Sequence, residues 1–235
     1  MKEPILFIPG FMTDERLFAA QVRAVASAHP VMTAPIAECE RIESFASELL
    51  SVAPPKFALV GFGLGGTVAL ELLRRQPNRV TRIALIATAF QAETPQVAAD
   101  REPQLIAAAT GRFDEVLRQT VSEAGYGPGA GRVAVQSTVT RMGQELGKEV
   151  FRRHSRALQR RRDQQTTLKM IHQPTLVMGG RHDRLLPIKR LEVMAELIPS
   201  ARLSVLEEAG HFPTLETPEA ATDALADWLG APAPR

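Results

Sequence analysis

A chain of 235 residues that is 45% hydrophobic is long enough for one domain with a sizeable core. Its net charge of +2 makes no general case for nucleic acid, and no apolar run approaches the roughly 20 residues of a membrane span. Cys39 is the sole cysteine, so an intrachain disulfide is excluded and a reducing cytoplasm is the expected compartment. Met1 to Gly10 is too short, and too soon interrupted by Pro9-Gly10, to act as a signal peptide.

Short apolar runs alternate with helical patterns along the chain. Strands are predicted at Ile5 to Ile8, Val31 to Ala34, Phe57 to Val60, Arg82 to Ala87, Thr175 to Met178 and Arg202 to Leu206. Helices are predicted at Glu15 to Ser27, Ile42 to Val52, Gly65 to Gln76, Ile188 to Ile198 and Pro218 to Leu229. This alternation predicts an α/β fold, a mostly parallel twisted sheet of about six strands with helices on both faces.

The alternation breaks once, between Phe90 and Gln173. That stretch lacks strand patterns, is rich in Ala, Gln and Arg, and holds a glycine-rich loop at Gly125 to Gly131. A helical insertion between the fourth and fifth strands is the simplest reading. The expected division is therefore 1–89 and 174–230 for the sheet core, 90–173 for the insertion and 231–235 for a flexible tail. From Lys148 to Lys169 the insertion carries eight Lys/Arg against two acids. Such a run reads as a solvated helix face, or as a means of drawing an anionic substrate to the lip of a pocket. Val150, Phe151, His154 and Leu158 fall on one helical stripe, the expected inward face. His154 is then a core histidine with local hydrogen bonds or a polar group of the pocket.

Gly61-Phe62-Gly63-Leu64-Gly65-Gly66 has the spacing of a nucleophile elbow, Gly-x-Ser-x-Gly, with glycine where the serine belongs. It lies between an apolar strand and a helix, the context such an elbow requires. The elbow lifts its nucleophile on a tight, strained turn, and the residues two before and two after must be small. Gly61 and Gly65 fit those places, which puts Gly63 at the nucleophile position. The same glycines satisfy Gly-x-Gly-x-x-Gly, a dinucleotide-binding fingerprint. That reading needs an acidic residue roughly 20 positions on, at the end of the next strand. Here that strand runs into Ala87-Thr88-Ala89-Phe90, with no acid.

The partners of a hydrolytic nucleophile follow in order. Asp183 comes just after the strand that begins at Thr175, and His211 just after the strand that begins at Arg202. Nucleophile, acid and base in this chain order, each past the carboxyl end of a strand, are far more specific together than singly. His211 would move the proton and Asp183 would hold the imidazole in its working tautomer. His182 and Asp163 compete less well, because Asp183 follows its strand directly. Oxyanion donors are expected from the backbone N–H of Leu64 and from the loop Ile8-Pro9-Gly10-Phe11-Met12, with Phe11 first and Met12 next. Met12, Phe62, His154 and Phe212 are the candidate substrate contacts.

With these segments in place the chain resembles the α/β-hydrolase superfamily, in particular its small capped esterase, lactonase and MenH-like members. The resemblance rests on Phe7-Ile-Pro-Gly-Phe11, Leu59-Val-Gly-Phe-Gly-Leu-Gly-Gly66, Arg79-Val-Thr-Arg-Ile-Ala-Leu-Ile86, Pro174-Thr-Leu-Val-Met-Gly-Gly-Arg-His-Asp183 and Ala209-Gly-His-Phe-Pro-Thr-Leu-Glu-Thr-Pro-Glu219. It implies that the insertion is a cap over the pocket. It also implies acyl transfer from a small ester to water, with no metal or organic cofactor. The chain departs from the family at Pro9, where His is usual, and at Gly63, where Ser is usual. It begins directly at the oxyanion-loop strand, without the two antiparallel strands that often precede it.

Gly63 admits three readings. It replaces a native serine, made to trap a ligand; or it is natural, in a ligand-binding pseudoenzyme; or Asp183 and His211 activate water directly. The basic insertion segment suits an ester whose acid part bears a second carboxylate. MenH-like elimination or C–C cleavage would use the same residues.

Overall fold

The computed structural model describes residues 2–231. Of the expected tail, Ala231 is described and its carbonyl accepts a hydrogen bond from Arg82 at 3.0 Å; residues 232–235 lie outside the described residues. Six strands form one sheet: β1 (Ile5–Ile8), β2 (Val31–Thr33), β3 (Phe57–Phe62), β4 (Val80–Ile86), β5 (Thr175–Gly180) and β6 (Ala201–Leu206). Their order is β2-β1-β3-β4-β5-β6 and every pairing is parallel. β3 and β5 run two residues past their apolar runs, because Gly61-Phe62 pairs with Leu85-Ile86 and Gly179-Gly180 with Val205-Leu206.

The core helices are α1 (Ala19–Val25), α2 (Ile42–Val52), α3 (Leu64–Arg75), α8 (Ile188–Leu197), the short α9 (Pro213–Glu216) and α10 (Pro218–Gly230). The first is shorter than its pattern, since Glu15–Phe18 form a 3-10 turn capped by Asp14. Strand residues alternate faces, and both faces are covered. Phe7, Val60, Ile86 and Met178 pack in one layer with Leu225 and Trp228 of α10. Leu6, Leu59, Leu85 and Val177 pack in the other with Leu49, Leu72 and Leu191 of α2, α3 and α8. Such two-sided burial is why the strands read as continuous apolar runs. Truncating a fully buried residue such as Leu59 to Ala would cost about 2–5 kcal/mol.

Between β4 and β5 lie α4 (Pro95–Ala107), α5 (Phe113–Glu123), α6 (Arg132–Arg160) and α7 (Gln165–Lys169), with no strand among them. Gly147, at φ +81° and ψ 174°, breaks α6 into two segments. The predicted inward stripe holds: Val150, Phe151, His154 and Leu158 are buried. Most of the basic segment is a paired outer face. Arg152 and Arg160 reach Glu40, Arg153 reaches Glu38, Arg162 reaches Glu43 and Arg156 reaches Glu102. The pairs with Glu38, Glu40 and Glu43 tie the insertion to the segment leading into α2, and Arg156–Glu102 ties α6 to α4 within the insertion; each contributes about 0–1 kcal/mol.

The chain runs from β1 outward to β2, then returns to place β3 on the other side of β1. Loops leaving β1 and β3 therefore diverge at their carboxyl ends. In open parallel sheets that crevice is where ligands bind.

Candidate active site

Gly63 is the one residue between β3 and α3. Its φ of +53° and ψ of −114° strain any side-chain-bearing residue and cost glycine little. The flanking glycines are demanded by close packing. A Cβ on Gly61 would come within 2.6 Å of the Gly66 Cα, and one on Gly65 within 2.1 Å of the Ile8 and Pro9 carbonyl oxygens. Position 63 is different, because a Cβ there would meet only the Ala87 carbonyl oxygen, at 3.8 Å. The turn is built as if to present a side chain, and none is there.

Asp183 and His211 leave β5 and β6 and meet. The Nδ1–H of His211 donates to Asp183 Oδ2 at 2.8 Å. The Asp183 side chain is fully buried, and its Oδ1 accepts the Leu185 and Leu186 N–H groups at 2.8 and 2.9 Å. Those three bonds satisfy a carboxylate, and with Nδ1 donating, Nε2 is left as the acceptor. Asp163 lies elsewhere, accepting the Gln165 N–H at the exposed start of α7. Thr67 spends its hydroxyl on the Ala89 carbonyl at 3.3 Å and cannot stand in at the elbow.

In the loop after β1, hydrogen bonding isolates one donor. The Gly10 N–H donates to Thr13 Oγ1 at 2.9 Å, the Met12 N–H to His154 Nδ1 at 3.1 Å and the Thr13 N–H to the Gly10 carbonyl at 3.3 Å. From Gly10 to Thr13, only Phe11 keeps a backbone N–H without a partner among the described residues. Leu64, first in α3, carries one of the helix-start N–H groups that lack a helical acceptor. Met12, the second oxyanion candidate, is thereby corrected: its N–H is already used. Met12 and Ala87 are also, among the described residues, the two non-glycine residues with positive φ, +52° and +44°, and both border the cavity. Backbone strain clustered in this way is typical of functional sites.

His154 is likewise corrected as a substrate contact. It is 0% exposed and does not border the cavity. Besides accepting from Met12, it donates from Nε2 to the Ile36 carbonyl at 3.0 Å, and burial pushes the imidazole down to about 4. Phe62 and Phe212 do border the cavity. Their rings stack at 5.7 Å, and the His211 ring meets them edge-on at 5.2 and 5.0 Å.

The cavity holds about 380 Å3 between the elbow and the insertion. Gly63, Phe11 and His211 border it from the core, and Val97, Leu117 and Val139 from the insertion. Among the described residues no group of three or more His, Cys, Asp or Glu is placed to hold a metal ion.

The model of the α/β hydrolase fold family matches residues 42–218. This chain belongs to that family. A pimeloyl-[acyl-carrier protein] methyl ester esterase from Aromatoleum aromaticum is 31% identical over 195 residues, covering 76% of each protein. A thermophilic esterase from Thermogutta terrifontis superposes with a TM-score of 0.86 at 22% identity, over 97% of this chain and 90% of that one. The enol-lactonase of Burkholderia xenovorans superposes at 0.84 and 22% identity, over 98% and 93%. For these two structures the likeness is one of fold.

The hydrolase fold also uses residues that the motifs did not reveal. Glu216 accepts three backbone N–H groups, those of Gly127 at 2.7 Å, Gly210 at 3.0 Å and Phe212 at 2.9 Å. It clamps the loop of His211 to the insertion. The glycine-rich loop presses on the same place: a Cβ on Gly125 would meet the His182 carbonyl at 2.4 Å, and one on Gly127 the Glu208 carbonyl at 1.8 Å. The His211 N–H donates to the Gly125 carbonyl at 2.9 Å and the Arg184 N–H to the Ala124 carbonyl at 3.1 Å. Only the glycine run in the insertion hinted at this contact, and it named no partner.

Proposed function

We propose that this chain is a serine-type carboxylic ester hydrolase whose nucleophile position is held by Gly63, so that it binds a small ester and does not cleave it at an enzymatic rate. The observation that carries this reading is the Asp183–His211 hydrogen bond beside an elbow with open space at position 63. The acid is held as the reaction needs it, with its second oxygen satisfied by the Leu185 and Leu186 N–H groups.

With serine at 63, His211 Nε2 takes the hydroxyl proton as Oγ adds to the ester carbonyl, and the N–H groups of Phe11 and Leu64 receive the oxyanion. The proton then passes from His211 to the leaving alcohol. Water, deprotonated by the same imidazole, cleaves the acyl-enzyme. Met12, Phe62 and Phe212 shape the acyl pocket, and residues 90–173 act as its cap. The Aromatoleum aromaticum relative is named for a methyl ester, which supports a short alcohol as the leaving group here.

The test is the Gly63→Ser variant on p-nitrophenyl acetate and butyrate. Loss of such a nucleophile costs on the order of a million-fold in turnover, and the variant should regain most of it. No gain of ester cleavage by a folded variant sinks the reading and leaves a ligand-binding protein.

A further inference from the structure

One part of the cavity does not serve the acid, the base or the oxyanion. Beyond Phe11, the Glu93 carboxylate lies almost fully buried, with its side chain 2% exposed. Arg101 grips it through Nε at 3.0 and 3.1 Å and through one terminal nitrogen at 2.7 Å. That engages both oxygens of Glu93 in the two-pronged geometry that suits guanidinium and carboxylate. Arg161 stands beyond hydrogen-bond range of the same carboxylate, 4.0 Å away, with its side chain 14% exposed. Its Nε donates to the Gln91 carbonyl at 2.8 Å, and among the described residues its terminal nitrogens make no hydrogen bond. Arg190 joins the group through the side chain of Gln91, at 2.6 Å.

Two guanidinium groups, those of Arg101 and Arg161, thus flank one carboxylate, with Arg190 beside them on Gln91. Arg101 and Arg161 both border the cavity that Gly63 and His211 also border. Burial, with Arg101 and Arg190 close by, pushes Arg161 below the usual arginine range against the pull of Glu93. Its positive charge is therefore short of compensation. A guanidinium stays ionised even so, and a buried one is stabilised by any anion that can reach its free donors. The cavity's other carboxylates do not supply that anion. Asp100 and Glu123 are exposed at the rim and bonded to Gln96 and Gln119.

The position of this excess charge has chemical meaning. The Arg101 guanidinium lies 5.9 Å from the centre of the Phe11 ring, and Phe11 supplies the free N–H of the oxyanion loop. An anion held by Arg161 and Arg101 would sit one aromatic ring away from the ester carbonyl. Apolar Ala89 and Leu158 border the same cavity and suit methylene groups.

We infer that Arg161, supported by the Arg101–Glu93 pair, forms a carboxylate-binding subsite, and that the ester accepted here is the half-ester of a short dicarboxylic acid. The half-ester part rests on the esterase reading above, whereas the carboxylate subsite does not. Arg161 is then a specificity residue, and Arg152, Arg153, Arg156, Arg160 and Arg162 form an outer face tied to its own acids.

The test uses the chain with Gly63 in place, which leaves the ligand uncleaved. Titration calorimetry would compare monomethyl and dimethyl esters of succinic, glutaric and adipic acid at 50 and 300 mM salt. The expected result is that one half-ester binds at least tenfold more tightly than its diester, with the preference reduced by salt less than an exposed pair would be. Arg161→Met, or Arg161→Gln should the first fold poorly, should bring the half-ester down to the affinity of the diester. Equal affinity of half-ester and diester overturns the inference. So does a preference that survives in the Arg161 variants, since the carboxylate would then be sitting in the oxyanion hole. Failure of Gly63→Ser to cleave esters would remove the esterase reading and leave this binding result intact.

Discussion

His154 Nδ1 accepts the Met12 N–H at 3.1 Å, so a helix of the insertion holds the loop that follows the first strand. The same ring donates to the Ile36 carbonyl at 3.0 Å. One imidazole ties α6, the loop after β1 and the segment after β2 together. It takes a polar residue to do so in a fully buried place, and it fixes which N–H of Phe11 and Met12 stays free.

That pair of bonds requires a neutral ring, because protonation turns the acceptor nitrogen into a donor. Burial holds His154 at about 4, below the ordinary 6.5, so the unfolded chain binds more protons between those values. Stability is therefore complete above pH 6.5 and is lost as pH falls toward 4, by about 3 kcal/mol in all. His154→Gln can keep an acceptor and a donor without titrating. Urea unfolding at pH 7.0, 5.5 and 4.5 should show a shallower acid loss in the variant. An identical pH dependence in both proteins would contradict this account.

At the elbow, room and strain make separate predictions. A side chain at 63 has open space but a φ of +53°, so Gly63→Ser should fold and be less stable by about 1–3 kcal/mol. Gly65→Ala meets backbone oxygens at 2.1 Å and should fail to give soluble, cooperatively folding protein. Circular dichroism and thermal melting of the two variants would decide this. A Gly65→Ala protein as stable as the parent would show that the packing argument is wrong.

The contrast between these positions marks how far the sequence could be read. The strands, the elbow, Asp183 and His211 follow from local patterns, because each is set by an apolar run and the turn that ends it. The choice of Phe11 over Met12 is not local. It depends on His154, which lies 142 positions away in sequence. The split of the basic run into an outer paired face and one inward arginine is hidden for the same reason. Arg160, Arg161 and Arg162 are adjacent, yet they turn to Glu40, Glu93 and Glu43. Periodicity alone cannot rank neighbours whose partners come from other elements.

Glu216 is a further residue visible only in three dimensions. Its carboxylate receives the N–H groups of Gly127, Gly210 and Phe212, around the loop that carries His211. Glu216→Ala leaves those part-buried donors without their acceptor, at about 1–3 kcal/mol for each that water fails to reach. The urea midpoint should fall accordingly. Hydrogen exchange should quicken at Gly127, Gly210 and Phe212 more than in the strands. Unchanged exchange at these three amides would count against the clamp.

Asp183 makes the sharpest kinetic prediction, in the Gly63→Ser background. Asp183→Asn keeps the shape and can still accept the Leu185 and Leu186 N–H groups through its oxygen. Its amide nitrogen then faces His211 and favours the tautomer with the proton on Nε2, the wrong nitrogen for a base. Turnover should drop by about ten-thousand-fold with little change in KM, because the imidazolium forms only on the way to the transition state. Burst kinetics with a p-nitrophenyl ester would separate acylation from deacylation. Both steps should slow, since His211 moves the proton in each; a loss confined to KM would mean that Asp183 shapes the pocket and does not orient the base.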